Sequence, residues 1–308
     1  MYKNSKKMER KKGINKMPIR DDLGTRMKVF YENIPKTRLM RRTPVAIRLD
    51  GKAFHTFTKG FQKPFDFVLM DAMQKTMKYL CENIQGCVFG YTQSDEITLI
   101  LVDYQKFTSD AWFDYEVQKL TSVSASMATM AFNKYFSENV EDVIKYNSTH
   151  DSLVERKEGL LDNYISAVEK GACFDARCFN IPKEEVTNLI YWRQLDATRN
   201  SIQMVGQANF SHDELQNKTC DMIQDMLMTK YGINWNNFTI PCKRGTACIR
   251  VGAKVTENIK REPQPFGEDK ITTTIIEERP IWIIDRNMPI LKGEDRKYVD
   301  DLIYIGEE

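Results

Sequence analysis

Three acidic residues lie where a short sheet would bring them together. Asp50 ends one apolar segment, and Asp95 and Glu96 lie in the turn between two others. Carboxylates at neighbouring strand ends suit two Mg²⁺ ions, because Mg²⁺ binds oxygen donors and leaves positions for water and phosphate. Such a pair of ions activates an attacking hydroxyl and stabilises a leaving pyrophosphate. The pattern therefore indicates metal-dependent nucleotidyl transfer, and its alternative is a set of exposed turn acids without a function.

The segment after the first acid has features of a phosphate-binding loop. Gly51 directly follows Asp50 and permits close approach of the backbone to a phosphate or a metal. Lys63 and Lys119 are candidates for neutralising a departing pyrophosphate. The alternative interpretations are ordinary surface lysines and, for His55, a packed or hydrogen-bonded side chain.

The hydrophobic pattern predicts the elements that position these residues. Alternating β-branched residues predict the first strand, and apolar residues spaced three and four apart predict the helix after it. The order strand, helix, hairpin, helix, strand is the βαββαβ order of a ferredoxin-like polymerase palm, so the predicted class is α+β. In a palm the first strand lies beside the hairpin. The predicted ranges are Pro44–Asp50, Phe67–Ile84, Cys87–Tyr91, Ile97–Val102, about Ala111–Tyr135 and Ala172–Ile181.

Further elements are predicted outside this core. A short amphipathic helix is predicted over 22–32, and another helix begins at Pro182, where carboxylates in the first turn suit the helix dipole. Ser211 and Glu214 form a capping box that opens the next helix. Residues 246–308 are predicted to be mostly extended, with a hairpin of Thr272–Ile276 and Pro280–Ile284 around Glu277-Glu278-Arg279.

Composition excludes several classes of protein. Hydrophobic residues make up 42% and charged residues 29% of the chain, and no run of about 18 apolar residues exists, so no membrane contact is predicted. The seven cysteines form no CxxC pair and only three histidines are present, which argues against a zinc site. We expect buried thiols in a reducing cytoplasm.

Charge is distributed unevenly along the chain. Residues 1–42 hold 14 Lys and Arg against 4 Asp and Glu, whereas the rest holds 31 against 39. A basic leader suggests contact with a phosphate-rich polymer, and a solvated tail is the alternative.

The motifs together resemble those of histidine-tRNA guanylyltransferase and its bacterial and archaeal relatives, the guanylyltransferase-like 3′–5′ polymerases. The resemblance covers roughly residues 20–252 and rests on an ordered series of motifs. These are Arg48-Leu49-Asp50-Gly51, Phe54-His55, Lys63-Pro64 with Asp66, Gln93-Ser94-Asp95-Glu96, Phe174-Asp175-Ala176-Arg177, Trp192-Arg193-Gln194, Phe210-Ser211-His212 with Glu214-Leu215, Gly232-Ile233-Asn234-Trp235-Asn236 and Lys243-Arg244-Gly245.

The resemblance implies roles for the acids and for the loop. Asp50 and Asp95 are implied to bind two Mg²⁺ ions through their carboxylates, and Gly51 through its carbonyl oxygen. Glu96 is implied to be an essential neighbour, so the implied catalytic acids are Asp50, Asp95 and Glu96. The residues implied to surround or support the nucleotide are Arg48, Asp50, Gly51, Lys52, Ala53, Phe54, His55, Lys63, Asp66, Ser94, Asp95 and Lys119.

The resemblance also implies a reaction that runs opposite to ordinary polymerases. ATP activates a tRNA 5′-monophosphate by adenylylation, and the 3′-hydroxyl of incoming GTP or another nucleoside triphosphate then attacks the activated phosphate. The implied partners are therefore tRNA and nucleoside triphosphates. The family further implies a homo-oligomer, a tetramer built as a dimer of dimers.

One segment departs from the eukaryotic enzymes of this family. Those enzymes follow Trp-Arg-Gln with HINNLYNT, which is linked to recognition of histidine tRNA, whereas Thr198–Ile202 stands here and only Asn200 matches in register. The departure favours template-directed repair of 5′-truncated tRNAs over dedicated guanylate addition at position −1 of histidine tRNA. More distant alternatives are a palm-type nucleotide cyclase and a non-catalytic tRNA-binding protein. The predicted tRNA contacts are Arg199, Asn200, Lys218, Lys243 and Arg244.

These inferences divide the chain into four predicted segments. They are a basic leader (1–20), a palm catalytic core (21–150), the remainder of the core with tRNA-contacting helices (151–252), and an extended segment without an assigned role (253–308).

Overall fold

The computed structural model describes residues 22–149, 159–257 and 275–305. The chain divides into two compact units, one that ends at Thr37 and one that begins at Arg38. In the first unit, α1 (Leu23–Met27) is capped by the Asp22 side chain and continues as a π-helical turn over Lys28–Glu32. The helix predicted over 22–32 is confirmed, and the basic leader of 1–20 lies outside the described residues.

The second unit is built on one antiparallel sheet, whose strands are, within the described residues, β1 (Val45–Gly51), β2 (Cys87–Gln93), β3 (Glu96–Leu101), β4 (Phe174–Asn180), β5 (Thr246–Glu257) and β6 (Ile275–Asp285). The strand order is β4-β1-β3-β2-β5-β6. The first four strands have the predicted βαββαβ connections, so the ferredoxin-like palm is confirmed. β5 and β6 extend the sheet beyond β2.

Helices cover both faces of the sheet. They are α2 (Phe54–Phe57), α3 (Phe67–Asn83), α4 (Val117–Thr149), α5 (Leu160–Lys170), α6 (Lys183–Asn209), α7 (His212–Leu215), α8 (Cys220–Tyr231), α9 (Ile240–Arg244) and α10 (Lys297–Ile303). Side chains alternate along β1, so Ile47 and Leu49 pack in the core formed with α3 and α4. Ala46 packs on the opposite face, with residues of α6 and α10. No helix of the described ranges is long and apolar enough to cross a membrane.

Several predicted boundaries shift for local reasons. The helix predicted from about Ala111 to Tyr135 begins at Val117, because Trp112–Tyr115 form a 3-10 turn with positive φ at Phe113 and Asp114, and it continues to Thr149. The helix predicted to begin at Pro182 and the capping box of Ser211 are confirmed.

The predicted hairpin of Thr272–Ile276 and Pro280–Ile284 is wrong. Residues Ile275–Asp285 form the single strand β6, whose backbone pairs with β5 along its whole length, and Thr272 lies outside the described residues. Antiparallel pairing with β5 continues through 277–279, so the chain stays extended and no turn forms there. The expectation of mostly extended structure over 246–308 also misses α10, which buries Val299 and Ile303.

Candidate active site

Asp50 and Asp95 lie at neighbouring strand ends, at one end of the central strands of the sheet. β1 pairs with β3 so that Asp50 lies opposite Glu96, and only Ser94 and Asp95 separate β2 from β3. Ser94 adopts a left-handed conformation (φ 51°), which closes this two-residue turn. The Gly51 N–H donates a hydrogen bond to the Asp95 carbonyl at 3.1 Å, and this bond ties the end of β1 to the turn.

The electrostatics of the two acids are unfavourable without a cation. Burial raises the pKa of Asp50, and the neighbouring carboxylates of Glu96 and Asp175 raise it further, against a partial offset from Arg177 and Arg48. Burial also raises the pKa of Asp95, although the Ser94 hydroxyl donates to its Oδ1 at 2.9 Å. A divalent cation would offset this concentration of negative charge.

The oxygen donors at these strand ends fit Mg²⁺. The described residues contain no group of three or more His, Cys, Asp or Glu side chains arranged to hold a metal ion. The candidate ligands are instead two carboxylates, Asp50 and Asp95, and the carbonyl of Gly51. All are hard oxygen donors, and so small a set leaves the coordination positions that Mg²⁺ usually fills with water and phosphate.

Glu96 occupies a different environment from the other two acids. Its carboxylate accepts hydrogen bonds from Arg48 Nε at 2.9 Å and from an Arg193 guanidinium nitrogen at 2.6 Å, and the residue is 8% exposed. A second Arg48 nitrogen also contacts it. Glu96 shares a sheet face with Asp50, but its oxygens are held by arginines, so its place is that of a neighbour and not of a metal ligand.

A cleft of about 460 Å³ opens in front of Asp50 and Asp95. Gly51 cannot carry a side chain here, since a Cβ would lie 2.2 Å from the Phe54 ring. Phe54 is buried against Phe57, Phe132 and Phe174, which fixes the loop after β1. The predicted nucleotide-binding residues that line the cleft are Asp50, Gly51, Ala53, Phe54, His55, Lys63, Asp66, Ser94 and Asp95.

Asp66 lines the cleft but has a structural role. Its carboxylate caps α3 through the Leu69 N–H at 2.9 Å and also accepts from the Gln62 N–H at 3.0 Å. The Tyr164 hydroxyl donates to it at 2.6 Å. With these bonds made and only 7% of the residue exposed, little of the carboxylate is open to a nucleotide.

Three predicted nucleotide contacts do not line this cleft. Arg48 is paired with Glu96, and the exposed Lys52 donates its N–H to the Cys173 carbonyl. Lys119 lies over the Phe113 ring near the start of α4. α4 passes close to the site at Thr129, whose hydroxyl accepts a hydrogen bond from the Phe174 N–H. Lys119 and Thr129 are ten residues apart on this helix, about 15 Å, so Lys119 is remote from the acids.

The predicted tRNA contacts lie on α6, on α9 and just before α8. Asn200 lines a small cavity of about 90 Å³ beside the cleft, and Arg199 is paired with Asp196 at 2.5 Å. Lys218 lines another cavity, of about 430 Å³. Lys243 donates to the Asn236 carbonyl, and burial followed by the nearby Arg244 lowers its pKa. Asn200 shares its cavity with Cys242 and Gly245, which flank Lys243 and Arg244, whereas Lys218 lines a different cavity.

Sequence reasoning missed the roles of Arg193 and Met204. Arg193 reaches from α6 to Glu96, although the two residues are 97 positions apart, and Met204 lines the cleft itself. The Trp-Arg-Gln motif flagged the position of Arg193, but no local pattern indicated its partner.

The chain is similar in sequence and in fold to proteins of one known family. The family described as tRNAHis guanylyltransferase matches residues 24–182. A solved bacterial tRNA(His) guanylyltransferase (Thg1)-like protein in complex with ATP is 37% identical, with a TM-score of 0.70 over 92% of this chain and 100% of that one. A second, in complex with GTP, is 35% identical, with a TM-score of 0.66 over 92% and 99%. The tRNA(His) guanylyltransferase of Saccharomyces cerevisiae is 21% identical, with a TM-score of 0.51 over 69% and 87%, and supports the fold alone.

Proposed function

The chain belongs to the tRNAHis guanylyltransferase family of nucleotidyltransferases, and from this premise we propose that it repairs the 5′ end of truncated tRNAs by template-directed 3′–5′ nucleotide addition. The observation that carries the proposal is the meeting of Asp50 and Asp95 at the mouth of the cleft. Two acids there suit transfer between nucleotides, since both reactants carry phosphates that need a cation.

The segment after Trp-Arg-Gln favours repair over dedicated guanylate addition at position −1 of histidine tRNA. Thr198–Ile202 replaces the segment linked to histidine tRNA, and Asn200 and Ser201 of this segment line the cavity beside the cleft. A changed segment next to the cleft is expected to change substrate choice.

The proposed chemistry has two transfers. A non-bridging oxygen of the tRNA 5′-phosphate attacks the α-phosphorus of ATP, forms a P–O bond and releases pyrophosphate. The 3′-hydroxyl of the incoming nucleotide, which is base-paired to the template, then attacks the 5′-phosphorus, loses its proton and releases AMP. The new nucleotide keeps its own 5′-triphosphate, as growth at the 5′ end requires.

Different residues of the cleft are proposed to hold the metal, to supply positive charge and to keep Glu96 in place. Asp50, Asp95 and the Gly51 carbonyl would hold Mg²⁺, which when bound supplies Lewis-acid activation of the hydroxyl and charge stabilisation at phosphate. The absence of a side chain at Gly51 makes room for the buried Phe54 ring, which holds the loop after β1 in place. Lys63 supplies positive charge in the cleft. Arg48 and Arg193 neutralise Glu96 beneath the acids.

An extension assay tests this proposal. Purified protein, Mg²⁺, ATP and single nucleotides are incubated with a 5′-truncated tRNA that carries each of the four bases at the template position. We expect addition of the complementary nucleotide in all four cases. Guanylate addition to histidine tRNA alone, regardless of the opposing base, would favour the −1 alternative, and a small-molecule product without RNA would favour a cyclase.

We also propose that the protein is a homotetramer and that Lys218 and Lys243 contact the tRNA. A tetramer is expected by multi-angle light scattering. Charge reversal of Lys218 or Lys243 is expected to weaken tRNA binding and to lower its salt dependence, because each contact to a phosphate releases counterions.

A further inference from the structure

We propose that Trp192 is a stacking platform for a base at the end of the RNA substrate, beside Asp50 and Asp95. The inference rests on the proposed function and adds to it the group that positions the RNA. It follows from the exposure of Trp192, from the way its ring is held, and from its place relative to the cleft.

Trp192 differs from the other tryptophans in its environment. It is 51% exposed, whereas Trp112 is 8% exposed within the core. Trp235 donates its indole N–H to the Ser201 hydroxyl at 2.9 Å, and Trp282 packs against the core. The large apolar surface that Trp192 leaves in water is therefore available to a ligand.

Two arginines fix the ring in place. The guanidinium carbon of Arg193 lies 4.5 Å from the ring centroid of Trp192, and that of Arg48 lies 5.3 Å from it. Both guanidinium groups are anchored on the buried Glu96. Cation–π contacts with anchored partners hold the indole in one orientation, so little conformational entropy is lost when a base stacks on it.

The position of the ring points to the RNA and not to the free nucleotide. Arg48 lies two residues before Asp50 on the same face of β1, a separation of about 7 Å along the strand. The cleft lies ahead of the strand end, and Trp192 does not line it. In the first transfer the attacking oxygen of the tRNA phosphate and the leaving pyrophosphate lie roughly in line, on opposite sides of the α-phosphorus of ATP. With the triphosphate in the cleft, the RNA end therefore approaches from outside the cleft, where Trp192 lies.

Stacking also suits a reaction that copies a template. Every base has a π-face, so an aromatic platform binds whichever base is present without choosing among sequences. Such a contact contributes affinity and alignment and leaves the choice of nucleotide to base pairing. A hydrogen-bonding pocket for one base would instead restrict the substrate.

Binding of a labelled 5′-truncated tRNA, measured by fluorescence anisotropy, tests the role of Trp192. The variants are Trp192→Ala, Trp192→Phe and, as a matched control, Leu195→Ala, whose side chain is on the same helix and whose residue is also 51% exposed. We expect Trp192→Ala to weaken binding by between about 5-fold and 150-fold, the loss of one base stack. Trp192→Phe keeps a ring and should lose less than about 3-fold, and the KM for ATP should not change.

An RNA with an abasic nucleotide locates the partner base. Abasic sites are placed singly at the 5′-terminal nucleotide, its paired nucleotide and the first unpaired 3′ nucleotide. At one of these positions, removal of the base should weaken binding by the wild-type protein as much as Trp192→Ala weakens binding of intact RNA. Removal of that same base should not weaken binding by Trp192→Ala any further. If Trp192→Ala binds every RNA, intact or abasic, more weakly than wild type by the same factor, the stacking proposal is overturned.

Other outcomes separate this proposal from the proposed function. If wild-type protein extends the tRNA and Trp192→Ala binds and extends it equally well, the stacking role is wrong and the proposed function stands. An increase in the KM for ATP as large as the loss of RNA affinity would place the ring in the nucleotide site and would also overturn the proposal. A wild-type protein that neither binds nor extends tRNA would refute both.

Discussion

The buried cluster of Arg48, Glu96 and Arg193 gives a quantitative prediction for stability. Arg193 has a 7% exposed side chain and is paired with Glu96 at 2.6 Å and with Asp196 at 2.8 Å. Removing one partner of a buried ion pair costs about 3–5 kcal/mol, because a buried charge is left without its partner. Glu96 keeps Arg48, so Arg193→Met should lower the free energy of unfolding by about 3 kcal/mol, at the lower end of that range.

Urea denaturation followed by circular dichroism measures this loss. Arg199→Met is the matched control, because Arg199 pairs with the same Asp196 but has a 61% exposed side chain. We expect it to cost less than about 1 kcal/mol, as exposed pairs do. A double-mutant cycle with Glu96→Gln should give a coupling energy of about 1–3 kcal/mol to Arg193. An equal loss for Arg193→Met and the control, or an additive cycle, would show that the pair of Arg193 with Glu96 does not stabilise the fold.

Three further predictions follow from the same contacts. The folded protein holds the pKa of Asp50 and Asp95 above their ordinary value of 3.8, so ionisation of these groups lowers stability as pH rises through the raised values; Asp50→Asn and Asp95→Asn should raise the melting temperature at pH 7, and the gain should disappear below about pH 4. Asp66→Ala should lower the free energy of unfolding by about 2–4 kcal/mol in urea, because it removes a helix cap and a buried hydrogen bond, and a loss below about 1 kcal/mol would contradict its structural role. Lys119→Ala should leave the KM for ATP within about 2-fold in steady-state assays, and a 10-fold increase would show that this lysine reaches the nucleotide.

The main elements of the palm could be predicted because each has a local signal. Alternating residues over Pro44–Asp50 indicate one strand, and the two apolar segments on either side of Ser94 and Asp95 indicate two more. Because few residues separate these two apolar segments, they must form a hairpin. The resemblance located the loop from Gly51 to His55, and all but Lys52 of that loop line the cleft.

The remaining features depend on contacts between distant residues. No local pattern assigns Glu96 to Arg193, because the pair forms only when α6 packs on the sheet. Asp66 follows Lys63-Pro64 in the sequence and was therefore predicted to support the nucleotide. Its hydrogen bond from the Tyr164 hydroxyl, which comes from α5, could not be predicted from its neighbours in the sequence. The predicted hairpin near Glu277 is wrong because this segment pairs with β5, a partner outside the local sequence, and stays extended.

Asp50 and Asp95 are proposed to form together the centre that transfers nucleotides. The direct measurement is the single-turnover rate of extension of a 5′-labelled, truncated tRNA by wild-type protein, Asp95→Ala and the control Asp142→Ala, whose side chain is 75% exposed on α4. We expect extension by wild type and by Asp142→Ala at equal rates, and a loss of at least about 1,000-fold, or about 4 kcal/mol of barrier, for Asp95→Ala. Extension by Asp95→Ala at the wild-type rate would rule out a catalytic role for this acid.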